Sequence, residues 1–187
     1  GRFEVVELPE TGSHNATLIR EKISDQVLDS EEFRTGIIYA YSNTYLKVYP
    51  TVDIALFRHN KTEILLGKKA IDHKWRLLGG FSDPTDESYE DAAKRELTEE
   101  CGAVETTELL YEKSFRVNDW RYKSEEDKII TCLFSTDYVA GNPKGSDDIA
   151  EVKWFPLTAV EKLLEQKETA EEHDPQLTLL ISKYNQK

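Results

Sequence analysis

The sequence predicts an α/β fold, because runs of strand length precede and follow a single acidic helix and two amphipathic helices lie near the C-terminus. With 187 residues, of which 39% are hydrophobic and 32% charged, the chain is long enough for one core plus an appendage. No apolar run reaches the length of a membrane span. We therefore expect a globular protein without membrane contact.

The strands and helices are predicted from the spacing of their apolar residues. The predicted strands are TVDIALFRH (51–59), EILLGKK (63–69), LLYEKSFRV (109–117), KIITCLFSTDYV (128–139) and DDIAEVKWFP (147–156). Residues 59–62 form a plausible hairpin turn between the first two strands. The predicted helices cover residues 90–101, 157–166 and 175–185.

The formal net charge of −12 argues against binding to nucleic-acid backbones and to anionic membranes. An acidic site that receives phosphates through a cation fits this charge better. Cys101 and Cys132 lack the spacing of metal ligands, and we expect both to be reduced thiols of a cytoplasmic protein. Because the sequence contains no methionine, we expect a processed product or part of a longer protein.

The segment from Gly79 to Ala103, GGFSDPTDESYEDAAKRELTEECGA, is the most informative in the chain. On a helix, Glu96 shares a face with Glu99 and Glu100, since helical neighbours lie three and four residues apart. Three carboxylates on one face repel one another and favour a bound cation. Ligands that are all oxygen indicate a hard divalent ion, Mg2+ or Mn2+.

This segment resembles the Nudix box, G-x5-E-x7-R-E-U-x-E-E-x-G-U, in which U is a bulky apolar residue. The matching positions are Glu87, Arg95, Glu96, Leu97, Glu99, Glu100 and Gly102. Two features depart from the box: its last residue is the small Ala103, and six residues rather than five separate Gly80 from Glu87. The extra residue falls in the polar turn over residues 83–86, where added length is easily accommodated.

The resemblance implies an α/β/α sandwich with a mixed β-sheet, and metal-dependent cleavage of a diphosphate. The implied metal ligands are the carbonyl oxygen of Gly80 and the carboxylates of Glu96, Glu99 and Glu100. Arg95 would orient these carboxylates by bidentate hydrogen bonding. Glu87, at the N-terminal end of the helix, would fix the loop or make contacts that orient the metal ligands.

The general base is not decided by the box. Some members of the family use a box glutamate, and others use a carboxylate from a later loop. Asp147 and Asp148 precede the last strand, where many members place such a group, and we favour Asp148. The competing carboxylates in the preceding loop are Glu125, Glu126 and Asp127. For any single one of these residues, a solvated loop carboxylate is the simpler interpretation.

Candidate substrate contacts lie in a polar loop and beside the box. Trp120, Arg121 and Tyr122 could stack on a base and bind phosphate or ribose. Alternatively, Trp120 anchors this loop on the core. Arg76, three residues before Gly79, could reach a phosphate. His173 is interpreted as a surface or packing residue.

Two further resemblances suggest the substrate and the domain organisation. Tyr49–Asp53 (YPTVD) resembles the start of Nudix domains of the ADP-ribose pyrophosphatase kind, including those fused behind NMN adenylyltransferases. Asn15–Arg20 (NATLIR) resembles the S-x-T-x-x-R signature of nucleotidyltransferase domains, although an ordinary helix start explains it equally well. The predicted domains are an N-terminal segment, residues 1–40, as a possible tail of a nucleotidyltransferase domain, and a Nudix domain, residues 41–187.

The predicted activity is hydrolysis of ADP-ribose to AMP and ribose 5-phosphate. The alternatives are hydrolysis of another nucleoside diphosphate linked to a second moiety, and a non-catalytic ligand-sensing domain in NAD metabolism. The expected partners are a small nucleotide substrate and, from the family resemblance, a second copy of the chain in a homodimer.

Overall fold

The computed structural model describes residues 31–42, 47–118 and 127–185. The chain divides into two compact units, Gly1–Tyr45 and Leu46–Lys187, which are described separately. The described part of the first unit is one helix, α1 (Glu31–Ser42). Its first turn carries Glu31 and Glu32, which favour a helix start by interacting with the helix dipole.

The second unit contains the sheet and the remaining helices. Its strands are β1 (Val48–Arg58), β2 (Glu63–Lys69), β3 (Trp75–Arg76), β4 (Leu78–Phe81), β5 (Val104–Thr106), β6 (Leu110–Val117), β7 (Lys128–Gly141) and β8 (Ile149–Pro156). Its helices are α2 (Tyr89–Cys101), α3 (Leu157–Glu165), a short 3-10 helix (Glu171–His173) and α4 (Asp174–Tyr184). The five strands and three helices predicted between residues 51 and 185 are present, with ends within a few residues of the predicted ones.

The sheet is mixed, as predicted, because β1 runs parallel to β7 while every other pair is antiparallel. β1 pairs with β2 only at its C-terminal end, through Phe57 with Ile64 and Arg58 with Glu63. Towards its N-terminal end, β1 pairs instead with β4. The strand that carries the two box glycines, β4, therefore replaces β2 beside β1, and its glycines lie against Glu96 and Glu100 in the second half of α2.

Apolar clusters on both faces of the sheet confirm the predicted α/β/α sandwich. One cluster packs α2, through Ala93 and Leu97, against residues such as Ile54 of β1. The other packs α3 and α4 against the opposite face and includes Phe57 of β1 and Leu180 of α4. The side chains of consecutive β1 residues therefore pack against helices on opposite faces of the sheet, because side chains alternate along a strand.

The limits of α2 follow from its capping residues. Ser88 accepts a hydrogen bond from the backbone N–H of Asp91 at 3.1 Å, which satisfies one free donor of the first turn. Gly102, with φ of +77°, ends the helix and donates its N–H to the carbonyl of Thr98. Among the described helices, none is both long and apolar enough to cross a membrane.

Candidate active site

A cavity of about 390 Å³ lies where α2, the two box glycines and the sheet meet. Its lining comes from β1, the segment 76–81, α2, the loop before β8 and the beginning of α4. Five of the predicted site residues line it: Arg76, Gly80, Glu96, Glu100 and Asp148. The fold therefore brings together residues that lie up to 72 positions apart in the sequence, from Arg76 to Asp148.

Glu100 is the most deeply buried acid of the cavity, with 4% of its surface exposed. Its Oε2 accepts a hydrogen bond from the backbone N–H of Gly79 at 2.7 Å. Burial raises the pKa of Glu100 to about 8, although the hydrogen bond from Gly79 favours the ionised form. A neighbouring cation would relieve this cost by stabilising the carboxylate.

Glu96 lies directly against the backbone of Gly80. A Cβ atom at Gly80 would come within 2.6 Å of the Glu96 carboxylate, so only glycine leaves room for it here. Burial raises the pKa of Glu96, and hydrogen bonding to Arg95 opposes that shift without reversing it. The carboxylate therefore lies against the segment whose Gly80 carbonyl is a predicted ligand.

Arg95 connects the box loop to the helix. Its guanidinium donates to both carboxylate oxygens of Asp86, to the carbonyl of Phe81, and to Glu96 and Glu99. The hydrogen bonds from Arg95 hold the pKa of Asp86 below its usual value. Glu87 was expected to fix this loop, and this expectation is wrong: Glu87 is exposed and Asp86 makes the contacts.

Glu99 is placed differently from the other two box acids. Its side chain is 50% exposed and accepts a hydrogen bond from Arg95 at 3.0 Å. It lies outside the lining of the cavity. Within residues 31–42, 47–118 and 127–185, no three acidic, histidine or cysteine side chains form a ready-made metal site.

The loop before β8 is fixed to the end of α2. Lys144 and Ser146 donate their backbone N–H groups to the carbonyls of Cys101 and Glu100, each at 2.9 Å. These bonds place Asp147 and Asp148 in the cavity beside the box acids. Asp148 also forms an ion pair with Lys69 of β2.

The remaining predicted site residues have different outcomes. Trp120, Arg121 and Tyr122 lie outside the described residues, as do Glu125 and Glu126. Asp127 accepts hydrogen bonds from the backbone of Lys47 and the hydroxyl of Tyr49, which gives it a structural role at the start of β1. Arg76 lines the cavity, and its guanidinium contacts Asp72 and Glu172.

The model of the NUDIX domain family matches residues 48–180, which is most of the chain. The chain belongs to the Nudix family. No curated protein matches its sequence.

Solved structures with this Nudix fold are similar to the chain at low sequence identity. The NUDIX domain of Shewanella oneidensis NrtR complexed with ADP ribose is 22% identical, with a TM-score of 0.60, over 78% of this chain and 97% of that chain. A bifunctional NMN adenylyltransferase/ADP ribose pyrophosphatase from Francisella tularensis, complexed with AMP and Mn, is 20% identical, with a TM-score of 0.58, over 90% of this chain and 51% of that chain. At these identities, the likeness establishes the fold.

The donor set of this Nudix domain fits a hard divalent cation. Glu96, Glu100, Asp147 and Asp148 bring four carboxylates to one cavity, and burial raises the pKa of both glutamates. Glycine at position 80 leaves space for the Glu96 carboxylate at the backbone. Oxygen donors of this kind suit Mg2+ or Mn2+.

The polar cavity residues that were not predicted as site residues include Asp53, His173 and Gln176. His173 was interpreted as a surface or packing residue, yet it lies in the cavity wall with its side chain 12% exposed. The sequence contained one signal for Asp53, because it is the sole carboxylate in the apolar strand of residues 52–57. Gln176 gave a similar signal, since it lies four residues before the buried Leu180 on the apolar face of α4.

Proposed function

We propose that this protein is a metal-dependent Nudix pyrophosphohydrolase that cleaves a nucleoside diphosphate linked to a second moiety. Among such substrates, ADP-ribose is the favoured candidate. One observation carries the proposal: Glu96 and Glu100 are carboxylates half-buried or more, against the backbone of the two box glycines, in a cavity large enough for part of a nucleotide. Such carboxylates need a positive partner, and a diphosphate needs a cation between itself and the acids.

The reaction joins a water oxygen to one phosphorus and breaks the bridging P–O bond of the diphosphate. With ADP-ribose the products are AMP and ribose 5-phosphate. Glu96, Glu99, Glu100 and the Gly80 carbonyl would hold Mg2+ or Mn2+. When bound, such ions shield the phosphate charge and lower the pKa of a coordinated water.

The protein's own groups orient the reactants and receive the proton. Arg95 holds Glu96 and Glu99 through hydrogen bonds of 2.8 and 3.0 Å, which fixes the direction of both carboxylates. Asp148 is the proposed base, because the loop bonded to the end of α2 brings it into the cavity beside Glu100. A box glutamate is the alternative base.

A substrate screen with Mg2+ and Mn2+ that identifies the products tests the proposal. ADP-ribose should give AMP and ribose 5-phosphate, and other nucleoside diphosphate conjugates measure the selectivity. Glu99→Gln and Glu100→Gln should each lower kcat by more than about a hundredfold while the melting temperature stays near that of the wild type. Glu90→Gln, an exposed residue of the same helix, is the matched control. Near wild-type rates in both variants would refute the metal assignment.

The second candidate is a ligand-sensing domain that binds a nucleotide without cleaving it. A similar structure, the NUDIX domain of NrtR, was solved in complex with ADP ribose. Tight binding of ADP-ribose with no turnover in either metal would favour this function.

The assignment of the N-terminal segment is a separate proposal. We propose that residues 1–40 are the tail of a nucleotidyltransferase domain, a proposal supported by the motif at residues 15–20 and by the similarity to the bifunctional Francisella tularensis protein. Residues 1–30 lie outside the described residues. An H-x-G-H motif encoded upstream of Gly1 would support the proposal.

The mass in solution tests the expected homodimer.

A further inference from the structure

The cavity has a second polar wall, formed by residues that the proposed hydrolysis does not use. Val52 and Ile54 pack in the apolar cluster beneath α2, so the intervening Asp53 projects from the opposite face of the sheet. There it meets the beginning of α4. Asp53, Arg76, His173 and Gln176 all line the cavity that also contains Glu96 and Glu100.

Asp53 is the centre of this wall and is 6% exposed. Its Oδ2 accepts hydrogen bonds from Thr131 Oγ1 at 2.6 Å and from Gln176 Nε2 at 2.7 Å. His173 Nδ1 lies 3.6 Å from its Oδ1. Because the Gln176 amide donates through its nitrogen to a carboxylate, its oxygen is fixed as the free end of the amide.

The wall also carries polar atoms that lack hydrogen-bond partners. Within the described ranges, four buried side-chain atoms have no partner, and three belong to cavity residues: Arg76 Nε, His173 Nδ1 and Gln176 Oε1. An unsatisfied buried polar atom is costly, and such atoms are few in folded proteins. Their concentration in one cavity wall indicates a ligand that supplies the missing partners.

The charge of the wall indicates what kind of ligand group binds. The Arg76 guanidinium contacts two carboxylates, Asp72 and Glu172, and a third carboxylate, Asp53, lies in the same wall. A phosphate placed here would meet more negative than positive charge. A neutral group avoids this repulsion. It must donate a hydrogen bond to Gln176 Oε1 and accept one from Arg76 Nε.

We propose that Asp53, Arg76, His173 and Gln176 form a specificity subsite for a neutral group of the substrate that carries both hydrogen-bond donors and acceptors. This chemistry is shared by the polar edge of a nucleobase and by the hydroxyls of a ribose. The inference rests on the proposed function, in that the diphosphate of the same molecule lies at the box acids.

The two ends of the site belong to one cavity. Asp53 is directly opposite Gly79 in the β1–β4 pairing, and the Gly79 N–H is bonded to Glu100. The Asp53 wall and the Glu100 carboxylate are therefore linked through one backbone pair of the sheet, and both line the same cavity. A nucleoside diphosphate conjugate can contact both.

The test measures the dissociation constants of ADP-ribose, ADP and IDP-ribose by calorimetry, with Ca2+ in place of Mg2+. Gln176→Leu should weaken ADP-ribose binding by about three- to tenfold, the effect of losing one neutral hydrogen bond. Thr178→Val is the matched control, because Thr178 is an exposed residue of the same helix outside the cavity. It should bind ADP-ribose like the wild type.

His173→Leu keeps the inference testable if Gln176→Leu folds poorly. Since His173 Nδ1 has no hydrogen-bond partner, its removal should leave the melting temperature unchanged or raised. Binding of ADP-ribose should nevertheless weaken. If His173 had a purely structural role, His173→Leu would change the melting temperature and leave the dissociation constant of ADP-ribose unchanged.

The three ligands distinguish the two sources of the recognised group. A subsite for the base predicts that Gln176→Leu weakens ADP and ADP-ribose equally and that the wild type prefers ADP-ribose to IDP-ribose. A subsite for the terminal ribose predicts that ADP binding does not change.

The inference would be overturned if the Gln176 and His173 variants both bound ADP-ribose as tightly as the wild type. It would also be overturned if the wild type bound none of the three ligands. Binding that depends on Gln176 without hydrolysis in Mg2+ would refute the proposed reaction and leave the subsite intact.

Discussion

Asp86 holds Arg95 through both carboxylate oxygens, with Arg95 Nε donating to Oδ1 at 3.0 Å and a terminal nitrogen donating to Oδ2 at 2.9 Å. Five residues separate Gly80 from Asp86, which is the spacing that the box requires between its glycine and its first acid. Asp86 therefore takes the place expected for Glu87. The extra residue therefore lies between Asp86 and the start of α2, and not in the turn over residues 83–86 as predicted, so the loop from Gly80 to Asp86 has its normal length.

Asp86→Ala should lower activity by about ten- to hundredfold, the usual effect of losing a group that orients metal ligands. Without Asp86, Arg95 keeps its bonds to Glu96, Glu99 and the Phe81 carbonyl but loses its bidentate contact with the box loop. Steady-state rates with ADP-ribose measure the change. Glu87→Ala is the control and should behave like the wild type, because Glu87 is exposed. If Glu87→Ala lost more activity than Asp86→Ala, the role of holding Arg95 would belong to Glu87.

Gly80→Ala should impair the site while the protein still folds. The added Cβ would lie 2.6 Å from the Glu96 carboxylate, the mobile end of a side chain that can move away from its proposed ligand position. We expect a loss of about a hundredfold in kcat and weaker Mn2+ binding, measured by electron paramagnetic resonance. Unchanged Mn2+ affinity would show that Glu96 is not a ligand.

Gly79→Ala provides the contrast on the neighbouring residue. Its Cβ would lie 2.0 Å from the carbonyl oxygen of Val52, and its φ of +147° disfavours any residue with a side chain. This variant should therefore be impaired in folding, with a lower melting temperature and yield. Equal melting temperatures for both glycine variants would contradict this separation of roles.

Much of the fold could be predicted from the sequence, because the information is local. The β1 and β2 segments are apolar runs joined by a turn in which His59, Asn60 and Lys61 all have positive φ. The α2 helix begins after a capping serine and ends at a glycine. Such signals depend on residues a few positions apart, and the structure places the elements close to the predicted positions.

The site could be predicted only in part, because its other contacts are long-range. Gln176 and Asp53 are hydrogen-bonded across 123 positions, and no periodic pattern connects two such residues. The choice between Asp86 and Glu87 depends on the path of a turn, because the spacing from Gly80 favours Asp86 while the spacing to Arg95 favours Glu87. Arg76, predicted as a substrate contact, lies in the cavity wall, but its two carboxylate partners could not be foreseen.

Glu112 should make stability dependent on pH. Its side chain is 2% exposed and accepts hydrogen bonds from Ser135 and from Lys183 and Tyr184 at the end of α4. Burial alone would raise its pKa, but these hydrogen bonds outweigh burial and lower the pKa below the ordinary value of 4.5. A lowered folded-state pKa stabilises the protein above the unfolded pKa, and this stabilisation is lost as the pH falls through the folded pKa.

Glu112→Gln should therefore cost roughly 1.5–3 kcal/mol in the free energy of unfolding at pH 7, the range for hydrogen bonds to a charged group. The difference from the wild type should shrink as the pH falls below 4.5. Urea denaturation at several pH values measures it. Glu161→Gln is the control, since Glu161 is exposed and accepts one bond from Asn185. A difference that is constant with pH would mean that the Glu112 charge is not responsible.

Asp148→Asn tests the proposed base. Loss of a general base typically lowers the rate by about 10²–10⁴-fold, and kcat for ADP-ribose should fall within that range. The fold should tolerate the change, because the Asp148 side chain is 51% exposed and its loop is fixed through backbone bonds of Lys144 and Ser146. Asp147→Asn is the matched control from the same cavity wall and should retain more activity. If Asp148→Asn keeps near wild-type kcat while Glu100→Gln is inactive, the proton acceptor is a box glutamate, and the role of Asp148 is reduced to its ion pair with Lys69.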